Sequence, residues 1–489
     1  MMSSIETGIK ANILQAVVTS LLLFILYKHL IQTLGMQQIG IWSVVVACTT
    51  AARIADMGFS ATLTRSISME MKICNYEHAA KIIDTSVISL AAIYIVAAPL
   101  AYVCLYFAFT KIFNDGDLIT AKNLMPYAIA SLWLNIIAST LSSIADGYKL
   151  MKQRAIATTC SQVLMVSLAF LLTSAYGLQG LMISQIIQNA VCIVLLWRLC
   201  WQTNQYTKAI PLKFNFVLLI ELYRKSLHNQ YVNIINLLFD PISKALVTKF
   251  GGTDTAGLFE ICTQIVLRIR SLLVTANQAI TPFISQIDSG NANSIESYYK
   301  RNTEIIGFFS IVGFALLALS SIYISFLLFA KVNLEFLLML NIISIGWLIN
   351  INSAPAYFTN LGTGKTKANT VSHLLMGTLN IFLGLILGNV FGAIGIVAAY
   401  GMSVGIGSMY LIRNFESSVS NDTKLLSLKK NGPITAVYIV STILPSLIQI
   451  KTDMENCIFS AQFILFLFLV LFIYKNKNSR LIFHKATRR

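Results

Sequence analysis

The stretch IWSVVVACTTAARIADMGFSATLTRS (residues 41–66) is apolar and long enough to cross a membrane, yet it carries Arg53 and Asp56 near its middle. A helix needs about 20 apolar residues to span the hydrocarbon core. A charge at the centre of such a helix costs roughly 2.5–3.5 kcal/mol on the insertion scale, so charged residues there usually face a bundle interior or a cavity. The stretch therefore predicts a membrane helix whose arginine is either paired or functional.

The whole chain has the composition of a membrane protein. Of its 489 residues, 56% are hydrophobic and 11% are charged, and the mean hydropathy is +0.71. A soluble domain carries about 25% charged residues. The net charge of +16 fits basic cytoplasmic loops better than nucleic-acid binding, because no basic segment is interleaved with stacking aromatic residues. We expect an all-α polytopic membrane protein with no nucleic-acid partner, no cofactor and no metal.

Apolar runs separated by polar breaks predict about fourteen transmembrane helices. They lie at residues 11–34, 39–64, 83–109, 122–146, 154–175, 178–200, 226–250, 256–284, 303–330, 334–361, 367–390, 393–413, 432–450 and 457–474. Lysine and arginine concentrate in alternate loops along this series. The positive-inside rule then predicts that both termini are cytoplasmic.

The two halves of the chain match one another at an offset of about 215 residues. The matching segments are LGMQQIGIW (34–42) with GGTDTAGLF (251–259), YGLQGL (176–181) with FGAIGI (391–396), and LWLNIIAS (132–139) with GWLININS (346–353). The same frame places Arg53 on Arg270. Each copy holds six spans, an even number, so the copies are parallel repeats, and a binding site is expected between them.

The repeat predicts three parts of the chain. Residues 1–205 form an N-terminal six-helix lobe, and residues 206–415 form a second six-helix lobe that repeats the first. Residues 416–489 form two extra transmembrane helices and a basic cytoplasmic tail.

Acidic residues within the spans are candidates for counter-ions or for coupling to a proton or sodium gradient. They are Asp56, Asp240 and Glu260. Two local alternatives stay open: an ion pair between Arg53 and Asp56, three positions apart, and a bridge between Asp240 and Lys244, four apart.

The pattern LGxxxxGxW followed by RxxDxGF, here LGMQQIGIW (34–42) and RIADMGF (53–59), resembles bacterial O-antigen and polysaccharide flippases. These belong to the multidrug, oligosaccharidyl-lipid and polysaccharide exporter superfamily. The resemblance covers nearly the whole chain. It implies two six-helix lobes around a V-shaped central cleft in the bacterial inner membrane. It also implies that the protein is not an enzyme but moves an undecaprenyl-diphosphate-linked oligosaccharide from the inner to the outer leaflet by alternating access.

The resemblance also implies a cationic central cavity that receives the diphosphate. The positions here that fit this role are Arg53, Arg270, Arg268 and Lys244. The planar fork of arginine suits a diphosphate, which accepts charge-assisted hydrogen bonds. Further partners implied by the resemblance are a polysaccharide polymerase and a chain-length regulator. The two extra C-terminal helices resemble those of fourteen-helix peptidoglycan-precursor flippases.

Two rival functions remain open. An ion-coupled multidrug exporter of the same fold would use the intramembrane carboxylates for organic cations or for coupling. A membrane-embedded polysaccharide polymerase or glycosyltransferase could use the D-x-D spacing of FNDGD (113–117). A polar turn explains that segment better, because Asn, Asp and Gly favour turns.

Overall fold

A computed structural model of the chain describes residues 2–56, 59–208, 213–226, 230–278 and 292–419, together with positions 211, 427, 432, 438–440 and 442. Within these residues the regular structure is helical and no strand occurs. The predicted all-α class is therefore confirmed. The last two predicted spans, 432–450 and 457–474, lie outside the described residues except at five single positions.

The described residues form long helices joined by short connections. In the first part of the chain these are α1 (Met2–Thr33), α2 (Gly35–Thr50), a 3₁₀ segment (Ala51–Asp56), α3 (Phe59–Lys72), α4 (Tyr76–Ile112), α5 (Asp115–Gly147), α6 (Met151–Thr203), α7 (Phe216–Ser226) and α8 (Gln230–Gln278). In the second part they are α9 (Ala292–Phe329), α10 (Leu334–Asn352), α11 (Ala354–Thr363) and α12 (Lys367–Val419).

Among the described residues, seven helical stretches are long and apolar enough to cross a membrane. Two of them, α6 and α12, have 53 residues each. At 1.5 Å per residue each measures about 80 Å, far more than the roughly 30 Å hydrocarbon core. Each bends at a glycine with a left-handed φ, Gly177 at 56° and Gly392 at 60°. Each of these helices therefore has the length of two predicted spans. The total of fourteen transmembrane helices stays a prediction.

The matched glycines of the two halves share the same backbone geometry. Besides Gly177 and Gly392, Gly35 has a φ of 79° between α1 and α2, and Gly252 has a φ of 81° inside α8. Glycine adopts such angles without a steric penalty, so it marks the places where a chain turns sharply. The sequence repeat thus corresponds to two pairs of equivalent bends.

Large apolar side chains cover the outside of the long helices, and small polar ones lie within. Five large apolar side chains illustrate this, each more than half exposed: Val96, Leu100 and Phe107 of α4, and Phe382 and Phe391 of α12. Exposed apolar surface on this scale is typical of contact with lipid. The chain is therefore a multi-pass membrane protein.

The chain divides into two compact units, Met1–Glu260 and Ile261–Arg489. The first unit extends past position 205, and within it the Lys213 backbone N–H donates to the Asp84 carboxylate (3.2 Å). The predicted boundaries at 205/206 and 415/416 follow the repeat and stay predictions. The V-shaped cleft between two lobes stays a prediction as well.

Candidate functional site

The second predicted span, residues 39–64, is not one helix. It breaks after Thr50 into the 3₁₀ segment that carries Arg53. The Thr49 and Thr50 hydroxyls donate to the carbonyls of Val46 (2.8 Å) and Ala47 (2.6 Å), and such back-bonding competes with helical hydrogen bonds and bends helices. The prediction of a continuous helix was wrong, because apolar periodicity alone does not show where α-helical hydrogen bonding stops.

Arg53 lies on this interrupted segment and is partly buried. Its Nη2 donates to the Ser139 hydroxyl of α5 at 3.4 Å, a long and weak hydrogen bond. The carbonyl of the neighbouring Ala52 accepts a hydrogen bond from the Tyr94 hydroxyl of α4 at 3.0 Å. The break is therefore fixed from α4, and the guanidinium faces α5.

Arg270 lies on α8 and is held by side chains of α10. Its Nε donates to the Asn350 Oδ1 at 3.0 Å, and its guanidinium carbon lies 4.7 Å from the ring centroid of Trp347. The Asn350 amide nitrogen donates in turn to the Ser408 hydroxyl of α12 at 2.9 Å, which turns the amide oxygen towards the arginine. Trp347 Nε1 donates to the Tyr400 hydroxyl at 3.2 Å. These partners are neutral, and among the described residues no carboxylate forms an ion pair with Arg270.

Arg53 and Arg270 occupy equivalent places along the two halves. Arg53 follows the bend at Gly35 by 18 positions, and Arg270 follows the bend at Gly252 by the same number. Each contacts the fourth predicted span of its own repeat, α5 for Arg53 and α10 for Arg270. That the two arginines share one depth and one anion site stays a prediction.

Lys244 is the centre of an ion cluster in the first unit, in which Lys244 and Glu260 are buried and Asp240 is about half exposed. Its Nζ lies 2.9 Å from an oxygen of Asp240 and 2.6 Å from an oxygen of Glu260. The second oxygen of Glu260 accepts a hydrogen bond from the Tyr27 hydroxyl at 2.9 Å. The Asp240–Lys244 bridge, one of the two alternatives left open by the sequence, is confirmed. A substrate-binding role for Lys244 and a coupling role for Asp240 and Glu260 stay predictions.

Two other predicted residues are less defined. Arg268 is partly buried on α8, and its carbonyl accepts a hydrogen bond from Ser271 at 2.8 Å. Its predicted contact with substrate stays a prediction. Asp56 ends the 3₁₀ segment, but its side chain lies outside the described residues, so its pairing with Arg53 also stays a prediction.

Helix α2, which follows the bend at Gly35, crosses the part of α8 that follows the bend at Gly252. This crossing lies within the first unit. A Cβ on Gly40 would overlap the carbonyl oxygen of Thr253, and a Cβ on Gly257 would overlap the carbonyl oxygen of Met36. Asp117 links the beginnings of the two helices, because its carboxylate accepts hydrogen bonds from Gln37 (2.8 Å) and from the Thr253 hydroxyl (2.9 Å). The carboxylate of the D-x-D segment thus joins two helices.

The residues that contact Arg53 and Arg270 lie in segments that the repeat had already matched, but the sequence analysis did not identify them as contacts. Ser139 belongs to LWLNIIAS, and Trp347 and Asn350 belong to GWLININS, the pair of segments that defines part of the repeat. Polar residues that recur inside two matched apolar spans were the signal that could have identified them. Tyr400 and Ser408 carried no such signal.

Comparison with known proteins identifies the family and the fold of the chain. A family model described as polysaccharide biosynthesis protein matches residues 7–288. No curated protein matches the sequence. Among solved structures, the fold is similar to a multidrug resistance MATE family transporter of the MOP superfamily in an inward-facing conformation, with 11% identity, a TM-score of 0.69, and coverage of 86% of this chain and 99% of that one.

Two further solved structures share the fold. The lipid II flippase MurJ in an inward closed conformation has 14% identity and a TM-score of 0.66, with coverage of 95% of this chain and 98% of that one. A MOP superfamily transporter from Pyrococcus furiosus, for which a reversed polarity of the binding pocket suggests a different function, has 12% identity, a TM-score of 0.56 and coverage of 87% and 96%. The fold is thus that of MOP superfamily transporters, and with more than half of its length matched by the family model, the chain belongs to the polysaccharide biosynthesis protein family.

Proposed function

We propose that the protein is a flippase that moves an undecaprenyl-diphosphate-linked oligosaccharide, such as an O-antigen repeat unit, from the inner to the outer leaflet by alternating access. The membrane would be the bacterial cytoplasmic membrane, with both termini cytoplasmic. The observation that carries the proposal is Arg270, a partly buried cation on a helix of a transporter fold whose partners, Asn350 and Trp347, are neutral.

A cation whose partners in the described part of the chain are neutral can bind an anionic ligand at full charge. Arg270 uses Nε for Asn350, while the terminal nitrogens of a guanidinium carry further donors in a planar fork. A diphosphate accepts such paired donors, and the low dielectric of a membrane protein interior strengthens the attraction. We propose that Arg53, Arg270 and Arg268 bind the diphosphate, with Lys244 in a secondary role.

The ion cluster around Lys244 suits a different task within the same cycle. The Asp240 carboxylate of this cluster is about half exposed, so it could take up a proton or a sodium ion from solvent. We propose Asp240, Glu260 and Asp56 as the coupling or counter-ion residues. The same cluster favours the rival function of an ion-coupled multidrug exporter, which would export organic cations.

Reconstitution of the full chain in liposomes separates these functions. The flippase should expose an undecaprenyl-diphosphate-linked oligosaccharide to an impermeant sugar-modifying reagent on the far side, and cells lacking the gene should accumulate this lipid at the inner leaflet. A multidrug exporter would instead expel cationic dyes and leave the lipid in place. Dye export without lipid translocation would contradict the proposal.

A further inference from the structure

The first compact unit contains two adjoining cavities. In the described part of the chain, no charged residue lines either of them. One measures about 270 Å³ and the other about 200 Å³. They share Asn135, Gln188 and Asn189 and lie among α1, α2, α5 and α6. Ten of the twelve residues around the larger cavity carry an amide or a hydroxyl group. A polar cavity of this kind within membrane-crossing helices requires a reason.

The polar groups of the larger cavity are held in place by one another. The Gln188 amide donates to the Gln162 Oε1 at 2.8 Å, and the Gln15 amide donates to the Thr158 hydroxyl at 2.7 Å. Each carboxamide can make about four hydrogen bonds, two as donor and two as acceptor. A polar group left without a partner in the hydrocarbon region costs several kcal/mol. The remaining donors and acceptors therefore call for water or a polar ligand in the cavity.

The chemistry of the lining selects among ligand classes. A drug-like apolar ligand needs an apolar and aromatic lining. A buried ion is generally accompanied by an opposite charge, and no charged residue lines either cavity in the described part of the chain. A sugar presents hydroxyl groups that both donate and accept, and amides and hydroxyls match these groups without net charge. A cavity of about 270 Å³ far exceeds the roughly 30 Å³ that one water molecule occupies.

Arg53 adjoins the larger cavity through one of the residues that line it. Its Nη2 contacts the hydroxyl of Ser139, and Ser139 lines the larger cavity. Thr49 and Thr50, which precede the break at Arg53, line the smaller one together with Asn135. A cation thus adjoins an uncharged hydrogen-bonding space within one compact unit. In an undecaprenyl-diphosphate-linked oligosaccharide, an anionic diphosphate is likewise bonded directly to an uncharged, hydroxyl-rich sugar.

We infer that the cavity lined by Asn135, Thr158, Gln162 and Gln188 is a sugar subsite, which receives the sugars next to the diphosphate while Arg53 contacts the diphosphate itself. This inference rests on the proposed function and adds the part of the substrate that the uncharged residues select. Specificity for one sugar would then lie in the amides of α6, and the cations would bind any lipid diphosphate.

The test compares two lipids on the purified full chain in nanodiscs. Undecaprenyl diphosphate without sugar measures the cationic site, and the lipid-linked oligosaccharide extracted from the producing strain after deletion of the gene measures both sites. The variants Thr158→Val and Gln188→Leu remove cavity hydrogen bonds. Thr140→Val is the matched control, because Thr140 is a buried hydroxyl on α5 that donates to the Ile136 carbonyl and does not line the cavity.

Each cavity variant should weaken binding of the oligosaccharide lipid by roughly threefold to tenfold, the value of about one hydrogen bond, and leave undecaprenyl diphosphate binding unchanged. The unchanged affinity for the sugar-free lipid also shows that the variant is folded. Arg53→Ala should weaken the binding of both lipids. If Thr158→Val and Gln188→Leu bind the oligosaccharide lipid as tightly as Thr140→Val does, the sugar subsite is wrong although the flippase stands. If the unaltered protein binds neither lipid, the proposed function is wrong and the subsite with it.

Discussion

The Nε of Arg270 donates a 3.0 Å hydrogen bond to the side-chain oxygen of Asn350, a neutral partner where an ion pair would be expected for a charge within a membrane helix. A neutral amide orients the guanidinium without cancelling its charge. The same amide is anchored by its own donation to Ser408. The hydrogen bond from Arg270 to Asn350 therefore orients a charged guanidinium that an anionic ligand could bind.

Replacing this amide by a carboxylate should disable the cation. Asn350→Asp keeps the size of the side chain but places a negative charge 3.0 Å from Arg270. Hydrogen bonds to charged groups contribute about 1.5–3 kcal/mol, so we expect at least a roughly tenfold loss of surface polysaccharide at normal protein level. The control is Asn389→Asp, at an exposed position near the bend at Gly392. Equal polysaccharide output from the two variants would contradict an anion site at Arg270.

The melting temperature of the protein should depend on the ion pair between Lys244 and Glu260. Lys244→Met removes the cation that contacts the buried Glu260 and the half-exposed Asp240, and removing one partner of a buried pair costs about 3–5 kcal/mol. We expect a clearly lower melting temperature of the purified protein in detergent. The triple variant Asp240→Asn, Lys244→Met, Glu260→Gln should recover most of that loss, because no unpaired charge remains.

The matched control for this experiment is Lys249→Met on the same helix, since Lys249 is exposed. Its melting temperature should stay near that of the unaltered protein. A Lys244→Met protein that melts normally but no longer transports would indicate that Lys244 binds substrate directly.

The crossing at Gly40 should tolerate no side chain. Alanine at this position would place a methyl group on the carbonyl of Thr253, and overpacking of this kind costs about 1–3 kcal/mol. We expect Gly40→Ala to lower both the melting temperature and the amount of protein in the membrane. Gly116→Ala is the control, since a Cβ there meets no atom within 4 Å. Indistinguishable melting curves for the two variants would contradict the close approach of α2 and α8.

The direction of the helices can be tested by chemical labelling. In a cysteine-free background, Asn114→Cys and Asp254→Cys should react with an impermeant thiol reagent from outside intact cells. Gln153→Cys and Tyr206→Cys should react only after the cells are opened. All four positions are exposed, so accessibility reports the side of the membrane and not burial. Labelling of Gln153→Cys in intact cells would overturn the predicted cytoplasmic termini.

The sequence predicted the positions of the glycine bends, but it did not predict which side chains contact one another. Gly177 and Gly392 could be matched by their neighbours, because a left-handed turn between two apolar runs restricts the residue to glycine. The break before Arg53 could not be predicted, because residues 41–56 contain no glycine or proline that would mark it. The link from Arg270 to Asn350 is a contact between residues 80 positions apart, which helical periodicity does not encode.

The central claim is that Arg270 and Arg53 bind the diphosphate of the substrate, and a charge series at these positions tests it most directly. Surface polysaccharide and inner-leaflet lipid-linked oligosaccharide would be measured beside protein level for Lys, Ala and Glu at each position. Lysine keeps the charge but loses the planar fork, so partial output should remain. Alanine should lose much more, even though it removes an insertion cost of roughly 2.5–3.5 kcal/mol, and glutamate should lose most. Well-expressed Arg53→Ala and Arg270→Ala proteins with unchanged polysaccharide output would contradict the account.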